Sequence, residues 1–426
     1  MFFGLFDSEE KKMRTHATNW LELADKIFNY RRDILPAPLL AELQTNRAAV
    51  RTSLRGKDDA AKLKLKIEAL EATLRRTGGT HYPKSTLTEN VEFFLVAAII
   101  ILGIRTYFVQ PFKIPTNSMW PSYNGLTAEI FDSREAEPKA AERAFRLVTK
   151  GARPRTIDAP MDGEVLIPLY GDEHYVKLPP TEVAGRNWLI FPARHKKFTL
   201  LVGNKPVFVT VPGDFDFEWA VRDAFFPQDR QSREPGPVDL ARHLKAQREV
   251  LEDPRNPGIR FLRTGKFVKT GERVMSFDIL TGDQLFVDRI SYHFVRPKVG
   301  DGFVFRTGNI PDMKGDQYYI KRLAGTPGDV LEIRNPVLYR NGEPITGSSA
   351  FEANAKLEGR YVGYRAMGIL EPGKRYTVPE NAYIALGDNS ANSQDSRYWE
   401  TVPAKDVVGR PLWIYFPFTT HWGSPP

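Results

Sequence analysis

The chain has 426 residues, enough for two or three domains, with 42% hydrophobic and 26% charged residues and a formal net charge of +8. It contains no cysteine, which excludes disulfides, zinc–thiolate centres and a cysteine nucleophile. The basic balance suits nucleic acid or an anionic lipid surface alike, so composition alone does not name the partner.

Residues 1–90 read as helical and polar. The apolar opening, Met1 to Phe6, is too short to span a bilayer, and the acidic residues after it do not make a signal-peptide cleavage site. Trp20, Leu23, Ile27 and Tyr30 share a helical face that stops before Pro36. A second helix, near Asp58 to Arg76, carries Leu63, Ile67, Leu70 and Leu74 at heptad spacing and is ended by Gly78 and Gly79. The expectation is a helical hairpin packed on itself rather than a coiled-coil partner site.

Residues 91–110 change character. The charge-free run from Phe93 to Ile104 alone has the length of a buried core helix. Extended from Val91 to Val109, with Glu92 and Arg105 near its ends where they can snorkel, it is long enough to cross a membrane. Both readings stay open on these residues. Arg75, Arg76 and Lys84 before the segment, against Lys113 after it, favour an inside N-terminus.

From Gln110 onward the signals are those of a β protein. Strand-like runs at Asp283–Ile290, Asp316–Ile320 and Ala382–Leu386 alternate with Gly, Pro and Asp turns. Between 129 and 274 lie strand-like pieces (Val165–Tyr170, Phe198–Val202, Pro206–Val211) and a helix-like piece near Asp239–Glu252, without a repeat period.

No G-x-S-x-G elbow, H-E-x-x-H or P-loop occurs, and none of the seven histidines has a triad setting, so a serine nucleophile here needs another base. Three stretches carry candidate chemistry. Pro111-Phe112-Lys113-Ile114-Pro115-Thr116-Asn117-Ser118-Met119-Trp120-Pro121 follows the apolar segment directly. In Asp316 to Asp329, Lys321 ends an apolar run, and a lysine buried there loses its charge and becomes able to accept a proton. Gly387 to Trp399 is dense in short polar side chains, as in a tightly hydrogen-bonded loop. Taken singly, each also reads as a rigid turn, a snorkelling lysine and an Asx-rich turn.

Together these stretches resemble the type I signal peptidase (leader peptidase) family. The first resembles its serine box, Pro-Ser-x-Ser-Met-x-Pro-Thr-Leu. The second resembles its lysine box, Tyr-x-Ile-Lys-Arg followed by Gly-x-Pro-Gly-Asp. The third resembles Gly-Asp-Asn-x-x-Asn-Ser-x-Asp-Ser-Arg-x-Trp-Gly, and Gly282 to Arg289 resembles the strand box between serine and lysine. The resemblance implies a mainly β Ser–Lys protease fold, with Ser118 as nucleophile and Lys321 as general base. It also implies an oxyanion hole from the Ser118 N–H and the Thr116 hydroxyl, Ser393 bonded to the lysine amine, and Asp395 paired with Arg397. Phe112, Ile114, Met119 and Ile320 would line shallow pockets for small side chains. The implied organisation is a helical cytoplasmic region at 1–90, one transmembrane helix at 91–110, and a catalytic domain at 111–128 and 275–426 on the outer face of a plasma membrane. The segment 129–274 is expected to be an accessory insert without chemistry. Implied partners are signal-peptide-bearing preproteins and a phospholipid membrane, with no nucleic acid, cofactor or metal.

Two other readings compete: a self-cleaving repressor-type Ser–Lys peptidase, and a catalytically silent membrane protein that binds exported chains. The apolar segment and the complete third box oppose the first, and joint retention of Ser118, Lys321 and Ser393 opposes the second. The sequence departs from the family pattern at Thr116, where serine is frequent, at Ser122-Tyr123-Asn124-Gly125, and at Glu400, where glycine is common.

Overall fold

The computed structural model describes residues 9–426 except 57, 188–190, 312 and 314, so the apolar opening Met1–Phe6 lies outside the described residues. The chain divides into two compact units, Met1–Leu102 and Gly103–Pro426.

The first unit holds α1 (Glu9–Arg31), α2 (Ala37–Arg55) and α3 (Ala60–Thr77). The expected hairpin is therefore a three-helix arrangement. The additional helix, α2, starts at a proline-bearing first turn, where the missing N–H costs nothing, and its apolar stripe is diluted by alanine and arginine. Leu43 and Val50 of α2 pack with Ala17, Ala24 and Ile27 of α1 and with Leu63, Ile67, Leu70 and Leu74 of α3. The heptad leucines are thus consumed inside the bundle. Asp59 caps α3 by accepting from the Lys62 N–H at 2.8 Å. Tyr30 ends its stripe 61% exposed, stacked on His81.

Helix α4 (Thr86–Tyr107) has 22 residues, about 33 Å at 1.5 Å per residue, which matches a bilayer's hydrocarbon core. None of its residues is buried, and Phe93, Phe94, Leu95, Ile99 and Ile101 are exposed. Among the described residues it is the one helix long and apolar enough to cross a membrane.

The second unit is mainly β. Its central seven-stranded antiparallel sheet runs Val109–Lys113, Gln284–Asp288, Val407–Phe416, Gly302–Arg306, Tyr318–Gly325, Ala382–Leu386, Val402–Pro403. In register, Phe112 stands opposite Leu285 and Lys321 opposite Phe303. A four-stranded sheet built from Val330–Arg334, Val337–Arg340, Glu343–Pro344 and Tyr376–Thr377 flanks it.

The segment 129–274 contributes a second seven-stranded sheet and three helices, α5 (Ala140–Lys150), α6 (Phe217–Phe225) and α7 (Gly236–Ala246). The helix expected to reach Glu252 stops at Ala246, and Leu251–Glu252 forms a short strand against Arg260–Phe261. This segment is not an appendage. Strands Thr127–Ile130 and Arg273–Leu280, which straddle the expected boundaries, pair with each other, and Arg153–Asp158 pairs with the second of them. One continuous core joins Val165, Ile167, Leu200, Phe217 and Leu240 to Leu126, Val274, Phe277 and Ile279.

Candidate active site

The strand Val109–Lys113 delivers the chain into a tight segment. The Ile114 N–H donates to the Asp283 carbonyl at 2.8 Å, and the Leu126 N–H to the Pro115 carbonyl at 3.1 Å. Between these anchors the Trp120 N–H closes a turn on the Asn117 carbonyl at 3.1 Å, which leaves Ser118 half-buried at a cleft. Lys321 stands inside the strand Tyr318–Gly325 and is 3% exposed. Its Nζ is hydrogen-bonded to Ser118 Oγ. Burial pulls the amine's pKa down to about 8; Asp395 and Asp388 oppose this and Arg397 adds to it.

The Gly387–Trp399 loop is sewn onto the serine segment. Its Asn389 donates from the backbone N–H to the Ser118 carbonyl at 3.1 Å and from Nδ2 to the Asn117 carbonyl at 2.9 Å. Asp395 accepts from the Gly387 N–H at 3.0 Å and from Arg397 Nε and Nη2 at 2.8 Å each. Arg397 also donates to the Ser390 carbonyl and hydroxyl, both at 2.7 Å. Gly387 has no room for a side chain, since a Cβ there would lie 2.1 Å from Ser393 Oγ and 2.5 Å from the Ser118 carbonyl oxygen.

Thr116, Phe112, Ile114, Ile320 and Ser393 line the same cleft as Ser118 and Lys321, a space of about 640 Å³. Two expectations need correction. Among the described residues Ser393 Oγ is buried without a hydrogen-bond partner, and the lysine amine bonds Ser118 instead. Met119 does not line the cleft: it is 0% exposed and packs with Ile114, Tyr123, Leu285 and Ile414, because the turn at Ser118 sends the next side chain into the sheet's core. The insert borders the site, with its Tyr175, Asp214 and Asp216 forming part of the cleft wall.

Sequence reasoning missed the buried pair Arg322–Asp388. Strand alternation sends Lys321 and Arg322 to opposite faces. Arg322, 1% exposed, donates from Nε to Asp388 Oδ1 at 2.9 Å and from Nη2 to Oδ2 at 2.6 Å. Ser122 Oγ donates to Asp388 Oδ2 at 2.5 Å. The departure at Ser122-Tyr123 thus belongs to this buried network and not to a pocket wall. The available signal was an arginine next to a lysine expected to be buried, which needs a buried anion of its own.

Glu400 sits at φ +69°, ψ −99°, a conformation that favours glycine. Glu400→Gly should therefore stabilise the protein by about 1 kcal/mol, read as a higher melting temperature. An unchanged or lower value would show that the Glu400 side chain compensates for the backbone strain.

The chain is similar in sequence to proteins of one family. Residues 261–416 match the family model described as signal peptidase, peptidase S26. The chain is 34% identical over 150 residues to "Probable signal peptidase I-1" of Synechocystis, covering 34% of this chain and 66% of that one, slightly under two thirds of its length. It is 36% identical over 141 residues to "Signal peptidase I" of Bacillus licheniformis, covering 32% of this chain and 69% of that one. A crystal structure of a signal peptidase I from Enterococcus faecalis is 30% identical, covering 27% of this chain and 97% of that one with a TM-score of 0.20. With matches of this identity and extent to S26 peptidases, the chain belongs to the type I signal peptidase family of serine endopeptidases.

Proposed function

We propose that this protein removes signal peptides from exported preproteins by Ser–Lys catalysis, anchored by α4 in a plasma membrane with the N-terminal region on the cytoplasmic side and the catalytic domain, from residue 111 onward, on the outer face. The observation that carries the reading is the contact between Lys321 Nζ and Ser118 Oγ inside a cleft, with the lysine held at a pKa of about 8 by burial.

The neutral amine accepts the hydroxyl proton as Ser118 Oγ attacks the scissile carbonyl carbon. The carbonyl electron pair moves onto oxygen, where the Ser118 N–H and the Thr116 hydroxyl stabilise it. Collapse breaks the C–N bond, and the lysine ammonium returns its proton to the leaving amine. A water then loses a proton to the Lys321 amine and attacks the acyl ester; the ester C–O bond breaks and the lysine ammonium returns the proton to Ser118 Oγ. The substrate lies extended along the wall formed by Phe112, Ile114 and Ile320, as an added strand whose small side chains fill shallow pockets. Asp395 and Arg397 hold the Gly387–Trp399 loop against the nucleophile.

The test is cleavage of a purified preprotein by the full-length protein in lipid vesicles, wild type against Ser118→Ala. Cleavage at the signal-peptide junction by the wild type and its loss in the variant are expected. Junction cleavage at the wild-type rate by Ser118→Ala would refute the mechanism, and no cleavage by a folded wild type would favour the silent binder.

A further inference from the structure

The insert places one side chain where the nucleophile segment is held. Asp216 immediately precedes α6, between Phe215 and Phe217, which are 3% and 0% exposed in the insert's core. A carboxylate at that position ordinarily caps its own helix. Asp216 makes no such capping bond. Its Oδ2 instead accepts from Asn117 Nδ2 at 3.0 Å.

Asn117 lies between Thr116 and Ser118, and its amide is fully engaged. Nδ2 also donates to the Leu126 carbonyl at 3.0 Å, and Oδ1 accepts from the Gly125 N–H at 3.1 Å. Trp219 of α6 meets Trp120 edge to face at 5.6 Å, a second contact between the insert and the serine turn. The carboxyl of Asp216 therefore ties two segments: the insert core and the turn that carries Ser118.

We propose that Asp216 is a positioning residue for the nucleophile: by fixing the Asn117 amide it sets the orientation of the Thr116–Ser118 backbone, and so makes the insert part of the working site. This rests on the assignment of Ser118 as nucleophile. Only the turn's geometry depends on Asp216, and the carboxyl's role is that of a hydrogen-bond acceptor at one distance. An amide of the same shape presents such an acceptor. A glutamate keeps the charge but displaces the acceptor by one methylene. The preference should thus run opposite to that of a purely electrostatic role.

Full-length Asp216→Ala, Asp216→Asn and Asp216→Glu are compared with wild type for kcat, KM and melting temperature on one preprotein, with Ser118→Ala in the same assay. Asp216→Ala is expected to lower kcat about 10- to 100-fold, with KM within about twofold. Asp216→Asn should recover most of the lost kcat, and Asp216→Glu should recover less. Asp216→Asn and Asp216→Glu decide the matter by themselves if the alanine variant does not fold. Wild-type kcat in Asp216→Ala, a loss confined to KM, or full activity in Asp216→Glu with loss in Asp216→Asn would each overturn the proposal. If Ser118→Ala is inactive while Asp216→Ala is normal, only the positioning role falls. If Ser118→Ala keeps its turnover, the Ser–Lys reading falls and the positioning role with it.

Discussion

Lys321→Arg should lose about 10²- to 10⁴-fold in kcat, the usual contribution of a general base, although the charge type is kept. An ammonium or a guanidinium has no lone pair with which to take the Ser118 proton. Lysine escapes this limit because burial lowers its pKa to about 8, whereas a guanidinium stays protonated at any working pH. The direction of the pH dependence follows. Below about pH 8 the amine is mostly protonated, so kcat/KM should fall about tenfold per pH unit on acidification. It should level off above that pH. Steady-state cleavage of a short signal-peptide substrate between pH 5 and pH 10 reads this out. A flat profile through pH 8, or a Lys321→Arg variant with near-wild-type turnover, would remove Lys321 from the proton transfer.

The second large effect is on stability. Asp388→Ala should destabilise the protein by about 3–5 kcal/mol, because it leaves a buried guanidinium uncompensated. Arg322 would retain only carbonyl partners, chiefly Gly300 at 2.9 Å, and Ser122 would keep only the Tyr361 hydroxyl as a side-chain partner. The melting temperature should drop by roughly 10 °C. Replacing both partners, as in Arg322→Met with Asp388→Leu, should cost less than Asp388→Ala alone, since no buried charge is stranded. Activity should fall too, because the neighbouring Asn389 holds the Ser118 and Asn117 carbonyls. A thermal melt of Asp388→Ala within about 1 kcal/mol of wild type would mean that the ion pair is not what clamps this loop.

Much of the protein is legible in its residues, and the reason is locality. Helix α3 announces itself through Leu63, Ile67, Leu70 and Leu74 at heptad spacing and a terminal glycine, signals carried within one helix's length. The apolar run that becomes α4 and the apolar run Ala382–Leu386 are equally local. The candidate site was legible in another way. The stretches around Ser118, Lys321 and Ser393 each hold a dense set of residue types at fixed spacing, and their order resembles one family's boxes, although no single box separates chemistry from an ordinary turn.

What the residues leave open is whatever depends on contacts between distant segments. Ser118 and Lys321 are 203 residues apart, and only sheet pairing brings the amine to the hydroxyl and buries it. Met119 is as apolar as a pocket wall requires, yet the direction of the turn sends it into the core. Ser393 lies in the cleft, but the lysine amine reaches Ser118, and that choice is three-dimensional. The insert is the plainest case. Its strands have the same period as any others, so nothing along residues 129–274 reveals that Phe277 belongs to their core or that Asp216 reaches Asn117. Periodicity determines which face of a segment is apolar, and boxes determine which residue types stand together. Which face meets which, and so which carboxylate meets which amide, is set by packing across the whole unit.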